Sequence, residues 1–278
     1  MNIGFIGLGI MGKPMSKNLL KNGRSVLLYE YKNRDLIDLK NLGAKSTNDL
    51  KILAKESDII ITMLPDGPDV HKTIIDGGIL EHLKEGSIIV DMSSISPAVS
   101  KELYEKCKEK GIGFVDAPVS GGEIKAINGT LTIMAGGDKK DYEKVLPILL
   151  NMGENATLCG PSGAGGTAKL ANNMMVGINL AAVAEAYNFI KAADLEPKVI
   201  FDALKGGMAD SKILEVKGQA MIEQNFEPGF KIDLHIKDLK NAIDAAQSNT
   251  DFTELAKKQL ETAQAKGLGQ KDHSAIVL

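Results

Sequence analysis

At 278 residues the chain is longer than one hydrophobic core usually organises, so two domains are expected. A composition of 44% hydrophobic and 25% charged residues is that of an ordinary globular protein, which argues against a disordered or fibrous chain. The net charge of −3 offers no basic footprint, and no run approaches the roughly 20 apolar residues of a membrane span, so neither nucleic acid nor a membrane is expected as a partner.

The first element is a short apolar run at residues 3–6 that flows into Gly7-Leu8-Gly9-Ile10-Met11-Gly12, with a helix start at residues 13–20. Strand, glycine turn and helix in that order suit a dinucleotide pyrophosphate: a tight turn, close backbone approach, and N–H groups aimed at an anion. Four glycines within twelve residues, and no basic leader, argue against a secretory signal. Cys107 and Cys159 form no metal-type spacing and suit a reducing compartment, so a cytoplasmic protein without a metal site is expected.

Further apolar runs follow at residues 26–29, 59–64, 87–92, 113–115 and 130–135, with polar amphipathic segments between them, that at 98–110 being the clearest. Such alternation predicts a parallel, doubly wound sheet. From about 151 to 166 the composition turns to small residues and glycines, and beyond it no further strand is expected. Residues 167–193 read as one helix of roughly 27 residues, about 40 Å long. More helices are predicted at 197–204, 214–224, 233–248 and 253–266. The class is therefore α/β: a Rossmann-type doubly wound, mainly parallel sheet over residues 1–162, followed by an all-α domain over 163–278 that starts with a long interdomain helix.

Several side chains carry candidate chemistry. Glu30 stands eighteen residues after Gly12 at the end of the second run, where an acid can accept from both ribose hydroxyls and repel a 2′-phosphate. This favours NAD, with NADP still open because Lys32 and Arg34 stand close by; a solvated strand end is the alternative. Two later runs end in Met63-Leu64-Pro65 and in Asp91-Met92-Ser93-Ser94, at the carboxyl edge where open α/β sheets bind ligands. Leu64 and Pro65 would pack on ribose or nicotinamide and Ser94 would offer a hydroxyl, although Pro after a strand is commonly only a turn. In Ser120-Gly121-Gly122 consecutive N–H groups can converge on a carboxylate, or the segment is simply a flexible turn.

Lys169 and Asn173 stand at i, i+4 on one face of the long helix. A buried lysine there can donate a proton to a carbonyl oxygen that receives hydride, and the amide can hold that oxygen without adding charge. By spacing alone such pairs more often decorate a surface. Lys237 and Asp238 read as a charged pair at a helix start or as a reach toward cofactor or substrate. His235 and His273 lack partners at ligand spacing, which leaves solvated or structural roles, and Asp91 and Asp116 read as support for a site rather than as an acid/base pair.

The run from Phe5 to Leu19, then Asp116 to Gly122, Gly129 to Met134, Gly163 to Asn173, and Lys237-Asp238-Leu239 together resemble the β-hydroxyacid dehydrogenases over nearly the whole chain. The resemblance implies that Lys169 is the catalytic acid/base, with Asn173 beside it. It implies that Ser120, Gly121, Gly122 and Asn173 bind substrate; Phe230 and Asp238 are further candidates for the substrate side. It places cofactor contacts on Gly7, Leu8, Gly9, Ile10, Met11, Gly12, Leu64, Pro65, Ser94 and Lys237, to which Glu30 and Met63 are added from their places at strand ends. Stretches at 121–127, 230–239 and 267–275 resemble the branch that interconverts tartronate semialdehyde and D-glycerate. Branches acting on 3-hydroxyisobutyrate or other four-carbon hydroxyacids remain the alternative, and a dinucleotide-binding protein without chemistry is a more distant one. The phosphogluconate branch carries a histidine where this chain has Asn172. Two departures stand out: residues 247–253 look a few residues short, and relatives usually continue beyond Leu278. The apolar stretch of Met174, Met175, Val176, Ile178 and Leu180 suggests burial against a second subunit, hence a homodimer or homotetramer.

Overall fold

The computed structural model describes residues 1–31 and 35–278. Lys32 and Arg34, named above beside Glu30, lie outside the described residues.

The chain divides into two compact units, Met1–Lys169 and Leu170–Leu278. In the first, β1 (Asn2–Ile6), α1 (Gly12–Lys21), β2 (Ser25–Tyr29), α2 (Ile37–Lys40), β3 (Lys45–Thr47), α3 (Leu50–Glu56) and β4 (Ile59–Thr62) follow in turn. Next come α4 (Gly67–His71), α5 (Ile79–His82), β5 (Ile88–Asp91), α6 (Pro97–Glu109), β6 (Gly113–Asp116) and β7 (Val119–Ser120). The unit closes with α7 (Gly122–Asn128), β8 (Leu131–Gly137), α8 (Lys139–Leu149), β9 (Gly153–Gly160) and the start of α9 (Ala164–Ala192). One sheet runs in the order β3-β2-β1-β4-β5-β6-β8-β7, with β9 on the other edge of β8. The first six strands are parallel, and β8 runs antiparallel to β6 and β7.

The strands are almost uninterrupted apolar runs because both sheet faces are covered. Period-two alternation sorts their side chains to opposite sides. Ile3, Phe5, Ile59, Ile61, Ile88, Val90 and Val115 pack with Met15 and Leu19 of α1 and Val145 and Leu149 of α8. Ile60, Ile89 and Phe114 point the other way, onto Leu53 of α3 and Leu103 and Cys107 of α6.

In the second unit the remainder of α9 joins α10 (Pro197–Leu204), α11 (Gln219–Glu223), α12 (Ile232–Ala245) and α13 (Asp251–Ala263) around Leu180, Phe201, Ile232, Leu239 and Leu260. Among the described residues no helix is long and apolar enough to cross a membrane.

The expected elements were incomplete in places. Strands β3, β7 and β9 were not foreseen, and the glycine-rich stretch near 151–166 contains β9 before its turn. The segment expected as one helix at 214–224 opens as a wide turn, Leu214–Gly218, before α11, and Gln224 ends it at φ 53°. The helix expected to reach Lys266 stops at Ala263 and continues as another wide turn containing Gly267 at φ 84°.

Candidate active site

The sheet order reverses between β1 and β4, so the loops leaving these neighbours face the same edge. Gly7 follows β1 at φ 99°, and a Cβ there would lie 2.1 Å from the Met63 carbonyl oxygen. A Cβ on Gly12 would lie 1.8 Å from the Gly7 carbonyl oxygen. Both glycines are therefore required by close backbone approach, the first against the residues after β4 and the second within the turn itself. Helix α1 then starts without a side-chain cap and without an acid in its first turn, which leaves its N-terminal N–H groups suited to an anion. Leu8 is buried beside this turn, Gly9 and Met11 are half-buried, and Ile10 is exposed. A turn this tightly folded, leading into an uncapped helix start with no acid in its first turn, fits a dinucleotide pyrophosphate.

The same edge is braced from below. The Thr62 hydroxyl and the Ser93 N–H both donate to Asp91 Oδ1, at 2.8 and 3.1 Å, and the Leu64 N–H donates to the Ser93 hydroxyl at 2.9 Å. Asp91 and Ser93 thus fix the Met63–Leu64 backbone from the adjacent strand. Ser94 follows, half-buried, while Pro65 is exposed. Glu30, one residue past β2, accepts from the Ser46 hydroxyl at 2.9 Å and from Lys40 Nζ at 3.1 Å. Those bonds, Ser46 first and Lys40 second, lower its pKa and keep it a carboxylate.

Asp116, at the carboxyl end of β6, ties the sheet to the long helix. Its two carboxyl oxygens accept from the N–H groups of Gly163 and Gly166 at 2.7 and 2.8 Å, capping the start of α9. Burial pushes this carboxyl up to about 6, against the pull of the two backbone donors, and Asp91 adds a smaller push in the same direction. Replacing Asp116 by Ala leaves two buried N–H groups without an acceptor, and we expect a loss of about 2–4 kcal/mol in denaturant unfolding. Because the folded carboxyl holds its proton more tightly than the unfolded one, ionising it costs folded stability as pH rises from about 4 through about 6. The loss caused by Asp116→Ala should therefore be larger near pH 5 than near pH 8, and unfolding curves at the two values check this.

Ser120 closes β7, and Gly121 and Gly122 both take positive φ, 132° and 68°, a backbone open to glycine. Lys169 and Asn173 both fall on α9, one turn apart, and are 9% and 2% exposed. The reading of this pair as surface decoration is thereby excluded. In the second unit the Asn173 amide donates to Asp238 Oδ2 at 2.6 Å, and its oxygen accepts from Asn172 at 2.9 Å. Lys237 Nζ lies 3.1 Å from Asp238 Oδ1. The half-buried Phe230 ring stands 4.9 Å from His235 and 5.2 Å from His273, centroid to centroid.

The structure thus brings together Gly7, Gly12, Met63 and Leu64 as one group, and Asn173, Lys237 and Asp238 as another. Glu30 is held apart with Ser46 and Lys40. Sequence reading missed Ser93, whose only signal is its place two residues after the strand-terminal Asp91. It also missed the capping function of Asp116. The solvated option for His235 and His273 is overturned: both are fully buried and touch each other. Among the described residues no group of three or more His, Cys, Asp or Glu side chains is placed to hold a metal ion.

A doubly wound sheet with a glycine turn at its reversal point is a dinucleotide-binding fold. Residues 2–160 match the NAD binding domain of 6-phosphogluconate dehydrogenase, and residues 163–278 match the NAD-binding domain of NADP-dependent 3-hydroxyisobutyrate dehydrogenase. The chain is 44% identical over 281 residues to 2-hydroxy-3-oxopropionate reductase of Escherichia coli, covering 100% of this chain and 96% of that protein. It is 35% identical over 285 residues to the human mitochondrial 3-hydroxyisobutyrate dehydrogenase, covering 99% and 85%. A solved 3-hydroxyisobutyrate dehydrogenase of Mycobacterium tuberculosis with L-serine superposes with a TM-score of 0.91 at 29% identity, covering 99% of this chain and 97% of that one. The chain belongs to the β-hydroxyacid dehydrogenase family and is an NAD(P)-dependent enzyme of that kind.

Proposed function

We propose that this enzyme reversibly interconverts tartronate semialdehyde and D-glycerate, with NAD(H) as the preferred cofactor. The observation that carries the chemistry is the buried lysine, Lys169, one helical turn from Asn173, whose amide a carboxylate holds. The substrate rests on the 44% identity to the reductase of E. coli. Residues 1–162 are assigned to the dinucleotide and 163–278 to substrate and assembly.

A nicotinamide cofactor bound at the glycine turn would supply the hydride. Gly7 to Gly12 hold the pyrophosphate, with Met63, Leu64, Pro65, Ser94 and Lys237 as further cofactor contacts. Ser120, Gly121 and Gly122 bind the substrate carboxylate through a hydroxyl and backbone N–H groups, and Phe230 and Asp238 belong to the substrate side. Lys169 Nζ gives a proton to the substrate oxygen during reduction and takes it back during oxidation. Asn173 holds that oxygen, and the 2.6 Å bond from its amide to Asp238 sets the amide's orientation. Holding donor, acceptor and acid in one geometry supplies most of the rate.

The substrate test is a steady-state panel of tartronate, methylmalonate and succinate semialdehydes, each with NADH and NADPH. The highest kcat/KM is expected for tartronate semialdehyde with NADH. Preference for methylmalonate semialdehyde would transfer the assignment to the 3-hydroxyisobutyrate branch, the reading favoured by the human and mycobacterial relatives. Because the Glu30 carboxylate repels a 2′-phosphate, Glu30→Ala should raise the NADPH:NADH ratio of kcat/KM by about tenfold. An unchanged ratio removes Glu30 from cofactor choice.

We also propose a homodimer or homotetramer. Ile178, Ala182 and Phe189 of α9 and Phe252 and Leu255 of α13 line an open apolar groove in the second unit, and Phe189 and Phe252 are 76% and 75% exposed. Light scattering of the purified chain reads the assembly directly, and a monomer would refute it.

A further inference from the structure

The second unit contains a buried pair of imidazoles that the proposed chemistry does not use. His235, on α12, is fully buried, and His273, in the C-terminal turn His273–Val277, is 2% exposed. Their Nδ1 atoms lie 2.9 Å apart, while His235 Nε2 lies 3.3 Å from the backbone carbonyl oxygen of Asn173. That carbonyl sits within α9 and faces the next turn, where residue 177 is glycine. A Cβ there would come within 3.3 Å of His235 Nε2 and 3.2 Å of Leu239, so a side chain at this position would push both back by a few tenths of an ångström.

Two nitrogens 2.9 Å apart share one proton, and a ring nitrogen facing a carbonyl oxygen must carry one. Nε2 of His235 is therefore the protonated nitrogen, Nδ1 of His235 is the acceptor, and Nδ1–H of His273 is the donor. The remaining nitrogen, His273 Nε2, is buried without a hydrogen-bond partner among the described residues, so a second proton on that ring would bury an N–H with no acceptor. Burial, followed by the charges of His235 and Lys217, pushes the His273 pKa well below the usual histidine range, against the pull of Asp272.

The pair is fixed from outside. Lys217 Nζ lies 2.9 and 2.8 Å from the two carboxyl oxygens of Asp272. Asp272 Oδ2 accepts from the N–H groups of Gly229 and Phe230 at 3.0 and 2.9 Å, and Oδ1 accepts from the Ser274 N–H and hydroxyl at 3.0 and 2.7 Å. Phe230 then covers both imidazoles. Three residues beyond His235 on the same helix, Asp238 holds the Asn173 side chain and pairs with Lys237. Helix α12 thus grips Asn173 twice, by its main chain and by its amide.

We propose that His235 and His273 form a neutral two-imidazole relay that positions Asn173. His273 commits the single His235 proton to Nε2, where it donates to the Asn173 carbonyl. The proposal rests on the reading of Asn173 as the residue that holds the substrate oxygen. His235 and His273 are positioning residues, acting through Asn173.

The test compares His273→Leu, which removes the donor, with His273→Asn, whose amide can place a donor near the position of Nδ1. With tartronate semialdehyde and NADH, His273→Leu should lower kcat about tenfold and leave NADH affinity within about twofold, while His273→Asn stays near wild type. In a His235→Gln background, where an amide donates to the carbonyl without help, adding His273→Leu should cost no further kcat. If His273→Leu lowers only the melting temperature, or if Leu and Asn lower kcat equally, the relay is overturned. Should His273→Leu fail to fold, His273→Gln replaces it, because its amide lies at the wrong nitrogen position, and the same split in kcat is expected. Nitrogen-15 NMR of histidine-labelled full-length protein at neutral pH decides the relay without turnover: the proton should sit on Nε2 of His235 and on Nδ1 of His273. A proton on Nδ1 of His235, or a doubly protonated ring, overturns it. A wild-type enzyme inactive on every semialdehyde would instead overturn the functional reading alone.

Discussion

Replacing Lys169 by Ala is expected to lower kcat/KM for semialdehyde reduction by about a thousandfold while NADH affinity stays within about twofold of wild type. A positioned general acid contributes roughly a hundred- to ten-thousandfold, and no other lysine in the sequence lies within a turn of Asn173 on α9. The substitution removes a nearly buried side chain, so some stability is lost as well. Melting temperature must therefore be measured beside rate. A rate loss at a temperature where the variant stays folded, with NADH still bound, assigns the defect to chemistry. If turnover is retained, Lys169 is not the acid and the proposed mechanism falls with it.

Gly12→Ala should abolish detectable NAD(H) binding and destabilise the first unit. The added methyl would overlap the Gly7 carbonyl oxygen, at 1.8 Å, and stand 3.0 Å from the Phe5 ring. Relief requires moving the turn itself, which is the surface a pyrophosphate would touch, so binding and folding suffer together. Fluorescence titration with NADH and a thermal melt read the two effects. The contrast with Lys169→Ala is diagnostic, since one variant should bind cofactor and not turn over, and the other should do neither.

The parts of this molecule that were legible in the sequence are those whose cause is local. The β1–turn–α1 unit declares itself because its glycines are forced by steric approach within a few residues. The central strands declare themselves because burial on both faces leaves Ile59-Ile60-Ile61 and Ile88-Ile89-Val90 no polar position. Strand β9 did not, because among the described residues it pairs only with β8, keeps much of its surface exposed, and begins and ends in glycine, so it reads as a loop. Long-range hydrogen bonds were equally silent. Asp116 caps a helix start 47 residues away, and His273 reaches His235 across 38. Nothing in either neighbourhood marks a partner at that distance. Lys169 and Asn173 stand between these cases: their spacing was visible, but only burial on α9 and the Asp238 contact separate them from an ordinary surface pair.

The proposed reaction carries a hydride to the aldehyde carbon of a small semialdehyde acid. It is tested most directly by single turnover with NADH deuterated at the transferred position and with tartronate semialdehyde, the product being analysed by mass spectrometry and NMR. The expected product is D-glycerate carrying one deuterium on the former aldehyde carbon. Bound NADH that yields no deuterated product from tartronate, methylmalonate or succinate semialdehyde would contradict it.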